Sequence, residues 1–380
     1  MSKPKIIFVV NGHEFTAAHR LPIIKGAKNN GYIVNVVAPM NSPAMKRLES
    51  DGITVYGIHL SRRGLNVWDE LLSIQELTRL YRQLSPDIVH HATIKPVIYG
   101  SIAARRAKVK AVVNAITGLG YIYTGVDLRT RFLREIVNLL YRFAFHKLRQ
   151  CVIFQNKDDQ KLLEKLGLVQ SNNSVLIPSS GVNLSHFTSH PEAVGPLKVM
   201  LPARMIWDKG VAEFVAAAQH FKGKNGAISF ILVGGLDEGN PNAISNEELL
   251  AFVDDGIVEW WGHVNDMRTA YRAAHIVVLP SYYREGLPKV LLEAAATSRP
   301  VITTDAPGCR DALIDGETGY LVRVKDSVDL INKISSLLND QKRRVTMGQA
   351  GRKLVEAKFS EKQIVRDTLK VYEDLLSLNI

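Results

Sequence analysis

Cysteine is scarce in this sequence, and its scarcity excludes several classes of protein. Only Cys151 and Cys309 occur, far apart in the chain, and neither belongs to a Cys-x-x-Cys motif or pairs with a neighbouring histidine. This usage argues against a disulfide framework, a structural zinc site and a secreted origin. We therefore expect the protein to work in a reducing compartment.

Long apolar runs are missing as well. No stretch approaches the roughly 18 uncharged apolar residues of a membrane-spanning helix. The N-terminus has only a short apolar run and no small-residue cleavage site, so it does not resemble a secretion signal. The sequence predicts a cytoplasmic protein without a membrane span.

Acidic residues are few in the first half of the chain. Residues 1–180 contain 25 Lys and Arg but 12 Asp and Glu, a net charge of +13, whereas residues 181–380 have a net charge of −2. A basic half in a cytosolic protein implies an anionic partner. Composition alone leaves nucleic acid, an anionic membrane surface and a phosphorylated substrate open.

Short β-branched runs are abundant, and each is followed by a segment of helical periodicity. The runs are continuous rather than alternating, which is typical of parallel strands covered by helices on both faces of a sheet. The predicted strands are residues 5–10, 33–38, 54–59, 88–91, 111–115, 152–155, 198–202, 228–233, 258–261, 276–279, 300–303 and 320–322. The chain is therefore expected to be an α/β protein with two Rossmann-like, doubly wound parallel sheets.

The two predicted domains are joined by a segment near residues 178–190 that is rich in Pro, Ser and Gly. We expect a first domain over residues 1–182 and a second over 183–360. A final helix, residues 361–380, is expected to pack back on the first domain. At 46% hydrophobic, the chain is apolar enough to fill two cores of roughly 180 residues each.

In such sheets, ligands bind beyond the carboxyl ends of the strands, so the loops at these ends are candidate binding sites. After the first strand, Gly12 either contacts a ligand or forms a plain strand-to-helix turn. After the fifth, Gly118 and Gly120 either let the backbone approach a ligand closely or supply a turn with positive φ.

Charged residues follow two strands of the second domain. Arg204 and Lys209 come before Gly210, which opens a helix, and two cations at such a place form an anion site. Glu285 and Glu293 lie in an otherwise apolar segment, where carboxylates are costly unless they bind something. Alternatively, the two cations are isolated surface charges, and the two carboxylates lie on a solvated helix face.

These motifs of the second half resemble the nucleotide-sugar half of retaining glycosyltransferases of family 4, which have the GT-B fold. The matching residues are Arg204, Lys209-Gly210, Val233-Gly234-Gly235, Trp261-Gly262-His263-Val264, Pro280-Ser281-Tyr282, Glu285-Gly286-Leu287-Pro288, Leu292-Glu293-Ala294, Pro300 to Thr304 and Pro307-Gly308. The pair Glu285 and Glu293 is similar to the EX7E motif of that family.

Motifs of the first half are similar to those of bacterial family members that extend undecaprenyl-diphosphate-linked sugars. That group includes α-1,3-N-acetylgalactosaminyltransferases of O-antigen and N-glycan assembly. The motifs are Phe15, His19 to Pro22, Ser61-Arg62, Leu65-Asn66 and Gly118 to Gly120. A histidine after the fourth strand often approaches the donor sugar in the family, and either His90 or His91 could take that place.

The resemblance implies a hexosyltransferase with two domains facing across a cleft. It would move a sugar, such as N-acetylgalactosamine (GalNAc), from a UDP-sugar to a polyprenyl-diphosphate-linked saccharide of lipopolysaccharide. The sequence contains no Asp-x-Asp metal motif. Arg204 and Lys209 would therefore supply the charge that stabilises the departing diphosphate, with no metal and no cofactor.

Further site residues follow from the same resemblance. Glu285 would be catalytic near the transferred sugar, and Glu293 would hold the ribose. The remaining expected donor contacts are Gly12, Gly286, Leu287 and Pro288. The expected acceptor contacts are Arg20, Arg62, Lys95 and Gly118, with Arg63 as a further candidate, although each cation could equally be a plain surface charge.

Residues 128–150 are expected to form a helix that mixes basic and apolar side chains. Its apolar side either dips into the interface of an anionic membrane, with the basic residues at the headgroups, or packs on the sheet. Lipid contact would make the protein peripheral on the inner face of the cytoplasmic membrane, beside a lipid-borne acceptor.

Three other functions fit parts of this sequence. A UDP-sugar epimerase of the same architecture would need no acceptor. A two-lobed sugar-binding protein would not need the charged set of the second domain. Nucleic-acid binding is disfavoured because the basic residues lie mostly on predicted helices rather than among aromatics on an exposed sheet or groove.

Overall fold

The computed structural model describes residues 3–11, 14–60, 66–125, 127–223 and 228–377. Contacts divide the chain into two compact units. Unit 1 comprises Met1–Ser180 together with Glu361–Ile380, and unit 2 comprises Gly181–Ser360. The division falls inside the segment where the sequence places the linker.

Unit 1 is built on a parallel sheet of seven strands in the order β3-β2-β1-β4-β5-β6-β7. The strands are β1 (Lys5–Val9), β2 (Ile33–Pro39), β3 (Val55–Ile58), β4 (Ile88–Ala92), β5 (Ala111–Ile116), β6 (Gln150–Phe154) and β7 (Ser174–Leu176). The six strands predicted here are confirmed. The sequence did not predict β7, because three half-buried residues are too few to show a periodicity.

Helices cover both faces of this sheet. They are α1 (Glu14–Asn29), α2 (Pro43–Ser50), α3 (Val67–Leu84), α4 (Ile94–Ala107), α5 (Leu128–Phe145), α6 (Lys157–Lys165) and, from the end of the chain, α13 (Glu361–Ser377). In β1, Ile6 and Phe8 pack with α1, α2 and α13, while Ile7 and Val9 pack with α3 and α4. Since both sides of the central strands β1, β4 and β5 are buried, these strands read as continuous apolar runs.

Unit 2 contains a parallel sheet of six strands in the order β10-β9-β8-β11-β12-β13. The strands are β8 (Leu197–Pro202), β9 (Ile228–Val233), β10 (Glu259–Trp260), β11 (Ile276–Leu279), β12 (Val301–Thr304) and β13 (Gly319–Val322). All six were predicted and are confirmed. The helices are α7 (Val211–Phe221), α8 (Asn246–Asp254), α9 (Met267–Ala273), α10 (Lys289–Ala296), α11 (Ser327–Leu338) and α12 (Gln341–Lys358).

Three further features bear on function. The helix expected over residues 128–150 ends at Phe145, because the chain enters β6 at Gln150. Among the helices described, none has both the length and the apolar composition needed to cross a bilayer. Within the same described ranges, no group of three or more His, Cys, Asp and Glu side chains could hold a metal ion.

Candidate active site

The loop after β8 brings Arg204 and Lys209 to the carboxyl edge of the unit 2 sheet. It ends at Gly210, whose φ of 79° lies in the left-handed region, and helix α7 follows directly. A Cβ at position 210 would lie 2.2 Å from the carbonyl oxygen of Pro280, just after β11. Only glycine therefore lets the loop pack against the end of the neighbouring strand.

Arg204 forms an ion pair with Asp237, which lies in the loop after β9. The Asp237 carboxylate is almost fully buried and also accepts a hydrogen bond from Nδ2 of Asn240 at 2.9 Å. The Arg204 side chain is 37% exposed, so its guanidinium is held from one side and open to solvent on another. A guanidinium held in this way can bind a phosphate oxygen without a large loss of side-chain entropy.

Lys209 forms the second ion pair of the site, with Glu285. Both side chains are mostly buried, and Ser281 donates its hydroxyl to Oε1 of Glu285 at 3.1 Å. The Lys209 ammonium also lies 5.4 Å from the ring centre of Tyr283. These residues are distant in sequence, but they meet because β8 and β11 are adjacent strands.

Backbone contacts hold the segment that carries Glu285 in place. The amides of Tyr282 and Tyr283 both donate to the carbonyl oxygen of Asp208, at 3.0 and 3.1 Å. Farther on, Gly286, Leu287 and Pro288 are buried before α10 begins. A Cβ at Gly308 would lie 2.3 Å from the Gly286 carbonyl oxygen, so the loops after β11 and β12 pack backbone to backbone.

Glu293 lies on α10 in a separate cluster with Lys289 and Tyr271. The Tyr271 hydroxyl donates to Oε2 of Glu293 at 3.2 Å, and the Lys289 ammonium lies 4.0 Å from Oε1. Burial, together with the neighbouring Glu293 carboxylate, raises the pKa of Tyr271 well above its usual value. The phenol therefore stays protonated and acts as a donor.

Some predicted site residues of unit 1 lie outside the described residues, and others form contacts with neighbouring side chains. Gly12, Arg62 and Arg63 lie outside the described residues. Gly118 has a φ of 111°, as expected for a glycine turn after β5. Lys95 opens α4 and forms an ion pair of 2.5 Å with Glu70 of α3, which neutralises its charge.

Arg20 of α1 is a buried cation, only 5% exposed. In the part of the chain that the structure describes, its Nε has no hydrogen-bond partner. Burial lowers the pKa of Arg20 to about 10. Arg20 and Lys95 lie in helix layers on opposite faces of the sheet, so the structure does not bring these two acceptor candidates into one layer.

His90 and His91 both lie inside β4, fully buried and on opposite faces of the sheet. His90 Nδ1 is 2.5 Å from the Tyr372 hydroxyl of α13, whereas His91 Nδ1 is 2.8 Å from Asn114 Oδ1. His91 Nε2 lies 3.0 Å from the Tyr81 hydroxyl. Burial lowers the pKa of His91 to about 4 and that of His90 well below its usual value, so both rings are neutral near pH 7.

Helix α5 has one packed face and one exposed apolar face. The packed face includes Val137, Tyr141 and Ala144. The exposed apolar side chains, 41–81% accessible, recur every three or four residues and are Leu128, Phe132, Ile136, Leu139 and Phe143. We call these five residues the α5 stripe. The expected packing is therefore seen on one face of this helix, and contact of the α5 stripe with lipid stays a prediction.

Sequence reasoning missed the partners of the predicted residues. Asp237, Ser281, Tyr271 and Tyr372 each hold a side chain that the sequence singled out. Two signals were available: Asp237 is a carboxylate soon after the Gly234-Gly235 turn at the end of β9, and Ser281 belongs to the motif Pro280-Ser281-Tyr282. Tyr271 and Tyr372 lie in segments that read as ordinary core.

Two protein-family models match the chain, one on each unit. The model described as "Glycosyl transferase 4-like" matches residues 5–156. The model described as "Glycosyl transferases group 1" matches residues 196–340. The matched segments contain both sheets almost entirely.

Curated relatives match over most of the chain. It is 31% identical over 373 residues to the Campylobacter jejuni N,N'-diacetylbacillosaminyl-diphospho-undecaprenol alpha-1,3-N-acetylgalactosaminyltransferase, covering 94% of this chain and 95% of the relative. It is 24% identical over 331 residues to the Escherichia coli UDP-Gal:alpha-D-GlcNAc-diphosphoundecaprenol alpha-1,3-galactosyltransferase, covering 82% of each.

Solved structures share the fold at lower identity. Anabaena Alr3699/HepE in complex with UDP and glucose superposes with a TM-score of 0.82 at 17% identity, covering 98% of this chain and 100% of that one. Sucrose-phosphate synthase from Thermosynechococcus elongatus superposes with a TM-score of 0.81 at 20% identity, covering 99% and 100%. Together with the family models and the C. jejuni relative, this likeness establishes that the chain is a hexosyltransferase belonging to the retaining glycosyltransferases of family 4, with the GT-B fold.

Proposed function

We propose that this enzyme moves GalNAc or a related hexose from a UDP-sugar to a polyprenyl-diphosphate-linked saccharide during synthesis of a bacterial surface polysaccharide, such as O-antigen. The names of the C. jejuni and E. coli relatives support this, because both describe transfer to a diphospho-undecaprenol-linked sugar. Both relatives are transferases, so the alternative of an epimerase is not favoured.

The observation that carries the proposal is the pair of cations beyond β8, each matched with a carboxylate. In the reaction, the bond between the sugar C1 and the UDP oxygen breaks, and C1 forms a bond to the acceptor oxygen on the same face. The acceptor proton passes to the departing diphosphate. Arg204 and Lys209 stabilise the negative charge that develops on UDP.

The carboxylates of the site have distinct tasks in this proposal. Asp237 and Glu285 hold the two cations in place and offset their mutual repulsion before the donor binds. Glu285 also contacts the transferred sugar, and Glu293, held by Tyr271, binds the ribose hydroxyls. Gly286, Leu287 and Pro288 are further proposed donor contacts in unit 2, and Gly12, outside the described residues, stays a predicted one. The proposed transfer needs no metal ion and no cofactor.

Unit 1 is proposed to bind the acceptor and the membrane that carries it. Its net charge of +13 favours an anionic lipid surface, and the α5 stripe offers apolar side chains to the interface. Arg20, Arg62, Lys95 and Gly118 are the candidate contacts for the acceptor. In this view, the protein is peripheral on the inner face of the cytoplasmic membrane.

The experiment is a transfer assay with a panel of UDP-sugars and a short synthetic polyprenyl-diphosphate saccharide. We expect Lys209→Ala and Glu293→Ala each to lower kcat/KM about 10²- to 10³-fold, as loss of charge stabilisation or donor binding does elsewhere. Lys358→Ala, an exposed lysine of the same unit, is the matched control and should leave turnover unchanged.

Near-normal turnover in both site variants would refute the site assignment. Transfer that persists after chelation is expected, and a strict divalent-ion requirement would overturn the metal-free proposal. Recovery of epimerised UDP-sugar from incubations without acceptor would favour the epimerase instead.

A further inference from the structure

The outer surface between α3 and α4 of unit 1 contains a pocket that the proposed reaction does not use. Its volume is about 380 Å³, and its lining residues are Gln75, Thr78, Arg79, Arg82 and Arg106. Three of the five are arginines, and none is acidic. We call these three residues the arginine pocket.

The arginines of this pocket lack the carboxylates that would offset their charge. An Nη2 donor of Arg82 reaches the backbone carbonyl of Arg106 at 3.2 Å, which ties α3 to α4. Within the described residues, none of the three guanidiniums forms an ion pair. Like charges gathered without a counter-charge repel one another, so an anion in the pocket would stabilise it. Guanidiniums match phosphate oxygens in particular, because their donors form a planar fork.

The pocket lies away from the loops assigned to the acceptor. Helices that connect parallel strands run from the carboxyl edge of the sheet back to the amino edge. Lys95 stands at the start of α4 and Arg106 at its end, about 16 Å apart at 1.5 Å per residue. The arginine pocket is therefore separate from the proposed acceptor contact at Lys95.

The pocket adjoins the end of the α5 stripe. Arg105, next to Arg106 on α4, lies over the Phe143 ring at 4.4 Å and donates to the Phe143 carbonyl oxygen at 2.6 Å. Phe143 is 55% exposed. Cationic and apolar groups thus meet at the C-terminal ends of α4 and α5, as at surfaces that contact both headgroups and acyl chains.

We propose that the arginine pocket binds the phosphodiester headgroup of an anionic glycerophospholipid. The neighbouring α5 stripe then enters the apolar side of the membrane interface. The inference shares the lipid contact of α5 with the proposed function, but it does not depend on the transfer reaction.

The test compares binding to vesicles of phosphatidylcholine with and without phosphatidylglycerol. The pocket variant is Arg79→Gln/Arg82→Gln/Arg106→Gln. The control variant, Lys28→Gln/Lys46→Gln/Arg47→Gln, removes the same charge from exposed residues of α1 and α2 on the other face of the sheet. We expect the pocket variant to bind phosphatidylglycerol vesicles at least about tenfold more weakly than the wild type, and the control within about twofold.

Equal losses in the two variants would overturn the proposal, since they would show only a general charge effect. The proposal would also be overturned if the wild type bound neutral vesicles as tightly as anionic ones. Inorganic phosphate is the soluble probe. If phosphate raises the Tm of the wild type but not that of the pocket variant, while both proteins bind phosphatidylglycerol vesicles equally well, the headgroup assignment is wrong. Single variants Arg79→Gln and Arg106→Gln serve if the triple variant does not fold.

Transfer to a short, water-soluble acceptor separates this inference from the proposed function. The pocket variant should match the wild type in that assay. A wild type that transfers no sugar would refute the proposed function and leave the vesicle result standing. Loss of soluble transfer in the pocket variant alone would place the arginines in the reaction and overturn the headgroup assignment.

Discussion

Tyr271 is fully buried beneath α10, and its hydroxyl holds one carboxylate oxygen of Glu293. Lys289 approaches the other oxygen from one turn earlier on the same helix. Tyr271 lies outside the EX7E segment that singled out Glu293, and Lys289 is one of the unspecified positions within it. The orientation of a site carboxylate is thus set by a core residue on α9, so substitution of that core residue should weaken donor binding.

Tyr271→Phe should weaken donor binding while leaving the fold intact, because it removes one hydrogen bond to Glu293 and keeps the ring. We expect the KM for the UDP-sugar to rise about three- to tenfold, which corresponds to the roughly 1 kcal/mol that one hydrogen bond contributes, with little change in kcat. Tyr320→Phe, a buried tyrosine of the same unit, is the control. An unchanged KM in Tyr271→Phe would contradict a positioning role.

The histidines of β4 make folding stability depend on pH. His91 is neutral in the folded state, with a pKa of about 4, whereas an unfolded histidine has a pKa near 6.5. The unfolded chain therefore binds more protons between these values, and stability is lost as the pH falls through this window. His90 contributes in the same direction.

Urea unfolding at pH 6.5 and pH 5 tests this dependence. The free energy of unfolding should drop by about 1.6 kcal/mol over this interval through His91 alone, and His90 should add to the loss. His91→Gln should be less stable at neutral pH but should show a flatter pH dependence. If wild type and variant lose stability in parallel as the pH falls, His91 is not the titrating group.

At the scale of elements, α5 shows how packing divides an ambiguous helix. Its sequence mixes basic and apolar residues almost all around, which fits both a buried and an interfacial helix. In the structure, Val137 and Tyr141 take the packed side, and the α5 stripe is left exposed. The lipid-facing role of the helix can therefore be tested without disturbing the core.

Phe132→Ser/Leu139→Ser should weaken binding to phosphatidylglycerol vesicles about tenfold or more, because each exposed side chain loses its favourable transfer into the apolar interface. The double variant Val194→Ser/Val328→Ser removes exposed apolar side chains of unit 2 and should bind as the wild type does. Vesicle co-sedimentation measures both. Equal binding by all three proteins would exclude the stripe from lipid contact.

At the scale of the whole chain, the last helix returns to the first unit. Helix α13 follows unit 2 in sequence but buries Ile364, Leu369 and Tyr372 against α1 and the unit 1 sheet. The approach is close at Gly26 of α1, where an added Cβ would lie 2.3 Å from a methyl group of Val365. The two ends of the chain are thus coupled in one core.

Gly26→Ala should lower the stability of unit 1 by about 1–3 kcal/mol, because the stiff Val365 side chain leaves no room for the methyl group. In a Val365→Ala background, the effect of Gly26→Ala on stability should change sign. There, Gly26→Ala should stabilise by up to about 1 kcal/mol, the difference in helix propensity. Thermal unfolding of the wild type, the two single variants and the double variant gives the coupling free energy between the two positions. Additive effects would contradict the close packing.

Most of the fold was predictable from the sequence. Continuous apolar runs separated by helical periodicity predicted twelve of the thirteen strands found among the described residues, since a buried parallel strand must be apolar on both faces. The family motifs likewise follow local rules: Gly210 ends the loop after β8 with a φ of 79°, a left-handed turn that favours glycine.

Local pattern and spacing were enough to predict the two parallel-sheet units, the family, and the charged residues at the strand ends. Three-dimensional packing was needed to show that Lys209 pairs with Glu285, that Tyr271 holds Glu293, and which face of α5 stays exposed. These pairings join segments far apart in the chain. Strand order and helix packing bring them together, and no short stretch of sequence records which strands become neighbours.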